Sequence, residues 1–335
     1  MRRFIAVTAI VLGAGMMLVP PVLHLFSRTS AAEKLTDDIR PAMTDQALAH
    51  TRAEFDTGRA ALDQFVDQGI PRMAADLGQT PAQLRSSIEA QYPDVANGIR
   101  QLPAITTFVD GAINLFDTNR GKFHSADAIP TTWLPFTVGP WMFILLGLLL
   151  VALGAAVALG AGGRAPVAAL LVVGLVLAVS PFVVRFPQKT SDGRELVALL
   201  RAPLSQQSAD QLQAWQTTVE KMTAQLQSGV LPAVAGQLHL SPQGMNDYVA
   251  RNMPALATGL PQFQPIVAHM ATLVAKVQRN VAPYAKTRRI PFRALTWLFF
   301  IPGALLTVAA GLGLLGTASR AASRTPGRVA APTPL

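Results

Sequence analysis

Charged side chains are missing from four long stretches of this chain, and the polar residues are concentrated between them. The uncharged stretches cover residues 4–27, 128–163, 165–184 and 294–319. Each includes about 20 predominantly apolar residues, the length of helix that crosses the hydrocarbon core of a bilayer. Two of them, within 141–184, are separated only by a Gly-rich turn, 160–166, that carries Arg164. The pattern predicts four transmembrane helices, of which the middle two form a hairpin.

The polar segments between the uncharged stretches have the periodicity of helices. Thr44 precedes a helical pattern of apolar residues over 45–68 and is predicted to cap it. An N-cap residue followed by proline, which is typical of helix starts, recurs at Thr80-Pro81 and Ser241-Pro242. No run alternates strictly between apolar and polar residues, so no strand is predicted. The fold class that follows is all-α.

Each polar segment is predicted to end in two helices. Pro93 and Pro254 each begin a short helix, which Gly98 and Gly259 help to end. In the first segment a longer helix follows over 103–123, with its apolar residues on one stripe. Both segments are therefore expected to form helical bundles.

The chain aligns with itself without a gap when Arg3 is placed on Arg164, and we call this alignment the repeat register. The coincidences are concentrated in proline and glycine, the residues that constrain backbone shape most. They include Gly13 with Gly174, Pro20 with Pro181, Pro71 with Pro232, Pro93 with Pro254, and Gly98 with Gly259.

The repeat register predicts a tandem parallel repeat, with one copy over 1–161 and the next over 162–322. Each copy has an outgoing membrane helix, an outer helical domain and a returning membrane helix. Because both copies begin and end on the same side, the pseudo-twofold axis should run along the membrane normal.

Arginines near the short loops predict the orientation in the membrane. Arg2, Arg3, Arg164 and the arginines of the tail lie on one side without any acidic residue, and that side is expected to be cytoplasmic. The predicted domains are a cytoplasmic N-terminus and first membrane helix over 1–27, an extracytoplasmic helical domain over 28–133, membrane helices two and three over 134–184, a second extracytoplasmic domain over 185–293, a fourth membrane helix over 294–319, and a disordered basic cytoplasmic tail over 320–335.

The first segment has an alternative interpretation as a cleaved signal peptide. Arg2-Arg3, an apolar run and the small residues Ser30-Ala31-Ala32 fit that description. Two observations favour a retained helix. The apolar run is longer than the apolar region of a signal peptide, which has at most roughly 15 residues, and the repeat pairs this segment with an internal membrane helix.

Composition places the chain among integral membrane proteins. Half of its 335 residues are hydrophobic and 14% are charged, against about a quarter in soluble domains. The net charge of +9 is unevenly distributed, since 28–133 has a net charge of −4 and 185–293 one of +7. No basic face is interleaved with stacking aromatics, so nucleic-acid binding is not expected. Arginine outnumbers lysine by 22 to 6, which suggests a bacterium of high genomic GC content and its plasma membrane.

Candidate catalytic and metal-binding groups are sparse in the sequence. There is no cysteine, Walker loop, nucleophile elbow or dinucleotide-binding pattern. His50 and Glu54 are one helical turn apart, but a pair supplies only two of the three or four ligands of a metal site, so surface polar residues are the simpler interpretation. The membrane segments contain no Asp, Glu, Lys or Arg, which disfavours ion-coupled transport. We expect no enzymatic activity, no cofactor and no metal.

Small residues at four-residue spacing are predicted to let membrane helices approach closely, within the chain or in a homo-oligomer. The two stripes are Ala152/Ala156/Gly160 and Gly303/Thr307/Gly311. Prolines near the outer ends of the membrane helices, at Pro20, Pro21, Pro181 and Pro302, are expected to kink the chain there.

One concentration of charge is a candidate binding site. Four basic residues lie at the outer end of the last membrane helix: Lys286, Arg288, Arg289 and Arg293. They are candidates for contact with anionic lipid headgroups or with an acidic partner. The alternative is that they only anchor the helix at the interface, together with Trp297.

By topology the chain resembles the prominin-like arrangement of membrane helices that flank two large helical outer loops, with one membrane helix fewer. The resemblance rests on architecture, and no activity is inferred from it. The expected function is that of a non-enzymatic membrane protein of the cell envelope, a scaffold or accessory subunit whose paired outer domains bind membrane lipid, an envelope protein or a second copy of the chain. The alternative is a transporter or pore for an apolar or lipid-like solute along the pseudo-twofold axis.

Overall fold

The computed structural model describes residues 1–129 and 134–322, and within these ranges the chain is helical, without a β-strand. The α-helices, in chain order, are α1 (Arg2–Val22), α2 (Leu25–Ile39), α3 (Asp45–Gln64), α4 (Ile70–Asp76), α5 (Pro81–Gln91), α6 (Pro93–Asp127), α7 (Val138–Ala158), α8 (Ala165–Val183), α9 (Phe186–Leu199), α10 (Gln206–Gln225), α11 (Leu231–Gln237), α12 (Pro242–Asn252), α13 (Pro254–Gly259), α14 (Phe263–Thr287) and α15 (Phe292–Ala322). The predicted all-α fold class is confirmed.

Four of these helices, α1, α7, α8 and α15, contain segments long and apolar enough to cross a membrane, as predicted. The chain forms two compact units. The membrane unit consists of Met1–Glu33, Lys122–Leu196 and Lys286–Leu335, and the helical unit consists of Lys34–Gly121 and Val197–Ala285. Beyond Ala322, the predicted tail lies outside the described residues.

In the membrane unit, the spanning helices pair within each half of the chain; we call residues 1–161 the first half and 162–322 the second half. α1 packs antiparallel to α7, and α8 antiparallel to α15. Glycines form the contacts. A Cβ on Gly13 would come 2.6 Å from the Gly147 carbonyl oxygen, and one on Gly174 would come 2.8 Å from the Thr307 amide nitrogen. Two helical backbones approach this closely only where no side chain intervenes.

The small-residue stripes are used differently in the two helix pairs. Gly303 and Thr307 lie against Gly174, as the spacing predicts. In α7 the contacts with α1 are made by Gly147 and Gly154, whereas Ala152 is exposed. A step of five residues, from Gly147 to Ala152, turns about 140° around a helix, which places Ala152 away from the contact face.

Aliphatic side chains fill the interior of the membrane unit. Gly313 lies against Ile5 and Val167, so the starts of α1 and α8 lie beside the end of α15. Ile5, Leu150, Leu170 and Leu306 are each at most 1% exposed.

The turn that joins α7 to α8 requires its glycines, because Gly160, Gly162 and Gly163 have φ angles of +70°, +74° and +64°, which side-chain-bearing residues rarely adopt. The predicted hairpin turn is confirmed.

The helical unit has a core to which both halves contribute. Its most buried large side chains are Phe65, Ile70 and Met73 from the first half and Leu226, Met253 and Leu256 from the second. α13 packs against α3, which belongs to the other half. The two polar segments, 28–133 and 185–293, therefore share one core. Each buries the apolar stripes of its amphipathic helices against the other.

Two glutamines cap helices of the opposite half. The side-chain oxygen of Gln64, at the end of α3, accepts two backbone hydrogen bonds from the start of α13, and that of Gln225, at the end of α10, accepts two from the start of α6. The first turn of a helix leaves these N–H groups without an intrahelical acceptor. The donors and N···O distances are Ala255 at 2.7 Å, Leu256 at 3.2 Å, Asp94 at 2.9 Å and Val95 at 3.0 Å.

The predicted helix starts are confirmed by their caps. The hydroxyl of Thr44 accepts a hydrogen bond from the Ala47 amide, at 3.2 Å. Thr80 forms a capping box with Gln83, and Ser241 accepts from the Gly244 amide. Thr44, Thr80 and Ser241 each have an extended backbone before a helix, as a side-chain N-cap requires.

The prediction of a short helix after Pro93 is wrong in the first half and right in the second. α6 continues from Pro93 through Gly98 to Asp127, whereas α13 ends at Gly259. Proline alone does not end a helix here, because α6 contains Pro103 in its interior. Pro261 lies in the 3₁₀-helical turn Leu260–Gln262 that follows α13, and proline lacks the N–H of an α-helical hydrogen bond. Its counterpart in the repeat register is Arg100, which has its N–H.

Helix bounds recur in the repeat register. α3 and α10 correspond residue for residue, as do α4 and α11, and α5 and α12. π-helical turns at Phe65–Gly69 and Leu226–Val230 precede Pro71 and Pro232 in the same register. Two residues with left-handed backbone, His24 (φ 50°) and Arg185 (φ 54°), follow α1 and α8.

Candidate functional site

A pocket at the end of α8 opposite Arg164, formed by described residues, is a candidate for a functional site. It has a volume of about 370 Å³ and is partly open to the surroundings. Residues of α9 and α15 line it, together with Phe182 near the end of α8. The left-handed Arg185 separates α8 from α9 and so sets the direction in which α9 leaves the membrane helix. All of its lining residues belong to the membrane unit.

Helical spacing explains why each wall presents polar groups to the pocket. On α9, Thr190, Ser191 and Arg194 lie within one turn of each other and share a face. On α15, Arg293 and Trp297 are four residues apart and are stacked along the axis. The pocket is therefore lined by two arginines and by the hydroxyl-bearing residues of α9.

The pocket-facing arginines have no acidic partner among the residues that the structure describes. The acidic residues of α9 are engaged elsewhere: Asp192 accepts a hydrogen bond from Ser125, at 2.5 Å, and Glu195 forms an ion pair with Lys122, at 3.1 Å. The Thr190 hydroxyl donates to backbone carbonyls of its own helix, whereas no partner of Ser191 is found within the described part of the chain. The pocket thus has an unneutralised positive charge.

Aromatic side chains lie directly beside these charges. Phe300 packs edge to face against Trp297, with ring centroids 5.7 Å apart, and against Phe182, at 5.6 Å. Phe182 and Trp297 are about half exposed, at 52% and 55%. Half-exposed aromatic rings next to positive charge are typical of the interface between hydrocarbon and headgroups.

The four predicted site residues are exposed, and the structure separates them by role. Arg293 lines the pocket, whereas Lys286, Arg288 and Arg289 do not. The backbone carbonyl of Arg289 accepts a hydrogen bond from the Arg28 guanidinium, at 2.7 Å. The predicted cluster and the pocket share one residue.

Sequence reasoning missed Arg194 and Ser191 as site residues. The segment around them contains Asp192 and Glu195, so its charges are balanced along the chain. Two signals in the sequence could have found Arg194: its helical spacing from Thr190, and its alignment with Glu33 in the repeat register. The second half has a positive charge where the first half has a negative one.

The structure adds a third residue to the predicted His50 and Glu54 pair. His50 Nε2 lies 3.2 Å from Glu54 Oε1, and His269 Nδ1 lies 2.5 Å from Glu54 Oε2. Each carboxylate oxygen therefore already faces an imidazole nitrogen. No group of three or more side chains suited to holding a metal ion occurs in residues 1–129 and 134–315. The hydrogen bond between His269 and Glu54 joins α14 to α3.

A second buried polar contact links the halves in the helical unit. The Tyr248 hydroxyl donates a hydrogen bond to Asp76, at 2.7 Å. Burial of the phenol, with the hydrogen bond to Asp76 and its negative charge, raises the pKa of Tyr248 from 10.0 to about 12. Tyr248 therefore remains a neutral donor throughout the physiological range.

Comparison of the chain with protein-family models, with curated proteins and with solved structures finds no match. The pocket between α9 and α15 is the feature with the clearest chemical character.

Proposed function

We propose that this chain is a non-enzymatic integral membrane protein of the cell envelope that acts as a scaffold or accessory subunit and binds a partner protein or lipid. The observation that carries the proposal is that the halves are joined by a filled core in the helical unit while the membrane unit is itself filled by aliphatic side chains. A fixed frame of this kind suits a binding role.

The proposal includes a tandem duplication in which 162–322 repeats 1–161. It is supported by the matching bounds of three helix pairs and by the two π-helical turns in the repeat register. The exchanged caps support it more specifically, because Gln64 and Gln225 correspond, and their four donors correspond in the same register. Chance agreement of helix lengths would not reproduce the same side-chain bonds.

The proposed topology places both termini in the cytoplasm and the helical unit outside it. The end of the membrane unit that contains the starts of α1 and α8 carries Arg3 and Arg164, and it also contains the end of α15. Arginine collected at one end of a helix bundle favours the cytoplasmic side. The proposed location is a bacterial plasma membrane.

Single-cysteine labelling tests this topology, because the natural sequence has no cysteine to interfere. Ser86→Cys introduces a thiol on the exposed face of α5, and Ala161→Cys introduces one in the exposed turn after α7. With a membrane-impermeant maleimide on intact cells, Ser86→Cys should be labelled and Ala161→Cys should react only after permeabilisation. The reverse pattern would refute the orientation.

The alternative proposal is a transporter or pore for an apolar solute along the axis between the helix pairs. Its support is weaker, because the interior of the membrane unit contains fully buried leucines, among them Leu150, Leu170 and Leu306. Flux of fluorescent lipids and of small apolar solutes in reconstituted vesicles distinguishes the two. Protein-dependent flux above that of empty vesicles would favour the transporter.

Purification in mild detergent, followed by identification of co-eluting proteins and lipids, tests the scaffold role. We expect a stoichiometric protein or lipid that survives size-exclusion chromatography. A lone chain without either would contradict the proposal.

A further inference from the structure

We propose that the pocket between α9 and α15 binds the phosphate of an anionic membrane phospholipid, with Arg194, Arg293 and Ser191 as its ligands. This inference rests on the proposed membrane insertion and assigns a ligand class to one site. The proposed site differs from the basic cluster predicted from the sequence, and Arg293 is the one residue that belongs to both.

Charge complementarity identifies the ligand as an anion. Arg194 and Arg293 line a pocket of about 370 Å³ and have no acidic partner among the described residues. Bringing two like charges together without a counter-ion is unfavourable, and a phosphate relieves it while accepting charge-assisted hydrogen bonds. Ser191 adds a hydroxyl donor on the same helical face as Arg194.

The level of the pocket along the helices indicates that the anion belongs to a lipid. Below Arg293, the exposed residues of α15 continue down one stripe as apolar side chains: Trp297, Ile301, Leu305, Val308 and Leu312, each at least 50% exposed. Val179, Phe182 and Val183 are exposed apolar residues at the corresponding end of α8. A phosphate at Arg293 would therefore have its acyl chains beside lipid-facing surface, with Trp297 at the glycerol level.

The lining also argues for an anionic headgroup over a zwitterionic one. A choline or ethanolamine group would bring a further positive charge beside Arg194 and Arg293, and an acidic side chain would be needed to balance it. No acidic side chain lines the pocket, and those of α9 are occupied by Ser125 and Lys122. We therefore expect phosphatidylglycerol-type lipids to bind in preference to phosphatidylcholine.

The first half supplies an internal comparison. In the repeat register, Glu33 stands where Arg194 does, Pro21 where Phe182 does, and Phe136 where Trp297 does. The helix start is otherwise similar, since the Thr29 hydroxyl donates to Leu25 as the Thr190 hydroxyl donates to Phe186. The site is therefore expected once per chain and only in the second half.

Native mass spectrometry of the full chain in neutral detergent tests the inference. Phosphatidylglycerol, phosphatidylcholine and inorganic phosphate are added separately to the wild type and to the Arg194→Gln/Arg293→Gln variant. We expect one phosphatidylglycerol per chain, bound at least about tenfold more tightly than phosphatidylcholine, and a loss of at least about tenfold in the variant. Arg288→Gln, which removes the same kind of charge from an exposed site outside the pocket, is the matched control and should bind as the wild type does.

Three outcomes overturn the inference. They are equal affinity for both lipids, an equal loss in Arg288→Gln, and binding of inorganic phosphate as tight as that of phosphatidylglycerol, which would make this a site for free phosphate. If the double variant does not fold by size-exclusion chromatography, Arg194→Glu replaces it, because it introduces the side chain that the first half has at this position. Solute flux or reversed topology would refute the proposed function instead, and neither is measured by this titration.

Discussion

Helices of the membrane unit pair within each half of the chain, whereas helices of the helical unit pack between the halves. In the membrane unit α1 pairs with α7 and α8 with α15, so each spanning pair belongs to one half of the chain. In the helical unit the halves cross over: α13 packs on α3, and each of Gln64 and Gln225 caps a helix of the other half. In a bilayer, glycine contacts between neighbouring helices suffice, whereas in water each half needs apolar surface from the other to close a core.

Division of the chain in the turn after α7 should give the largest effect. When the halves are expressed separately, α1 with α7 and α8 with α15 should still pair, but segments 34–121 and 197–285 should be digested by protease, because their shared core is incomplete. Co-expressed halves should co-purify and resist digestion. Limited proteolysis in detergent measures the difference. A resistant 34–121 fragment from the first half alone would contradict the dependence of each half on the shared core.

Gly303→Leu should have the next largest effect and should act within one half. A side chain at Gly303 would collide with the backbone of Ala178, so α8 and α15 must separate, at a cost of about 3 kcal/mol. Gly311→Leu in the same helix is the matched control, since its nearest neighbour is the Leu171 side chain at 4.0 Å. Unfolding in a titration with sodium dodecyl sulfate measures both. Equal stability of the two variants would contradict the proposed contact.

Gln64→Ala should weaken the contact between the halves. Two N–H groups at the start of α13 would lose their acceptor, at a cost of about 2 kcal/mol. Gln225→Ala should cost a similar amount, because its two bonds to the start of α6 have similar lengths. Gln207→Ala, at an exposed position of α10, should have little effect. Chemical denaturation followed by circular dichroism tests this, and a large loss in Gln207→Ala would show that the caps are not the cause.

Tyr248→Phe should have the smallest effect, a loss of about 1 kcal/mol at neutral pH. Because folding raises the pKa of Tyr248 to about 12, the protonated phenol stabilises the folded state fully below its usual pKa of about 10. That contribution is lost as the pH rises through about 12. The stability difference from the variant should therefore narrow between these values. Tyrosinate absorbance should show a late-titrating group that disappears in Tyr248→Phe.

Local signals in the sequence predicted the spanning helices and the helix starts, because both depend on residues close together in the chain. Charge-free runs gave α1, α7, α8 and α15, and the Thr44, Thr80 and Ser241 caps act within three residues. The break after α13 was available as well, since Pro261 has no proline counterpart at position 100. The same comparison would have misplaced a break at Pro103, which has Gln264 as its counterpart and lies inside α6.

Partners distant in sequence were not predictable in the same way. Gln64 gives no local sign that it caps a helix 191 residues later, and His269 has no sequence relation to His50 and Glu54. Prediction of the pocket required the partners of the two acidic residues of α9. Asp192 and Glu195 bind Ser125 and Lys122, and this leaves Arg194 without either of them as a partner. Such pairings follow from the tertiary arrangement, which a single sequence does not specify.

The exchanged glutamine caps have a consequence for the history of the chain. Under the proposed duplication, contacts in which residue i of one half meets residue j of the other, and j meets i, are those of an isologous twofold homodimer. An ancestral half-length chain would have had to find its partner by diffusion in the membrane. The three-glycine turn between α7 and α8 replaces that encounter by an intramolecular one at high effective concentration. Once the two halves were encoded together, one was free to acquire Arg194 while the other kept Glu33, which no true homodimer could do.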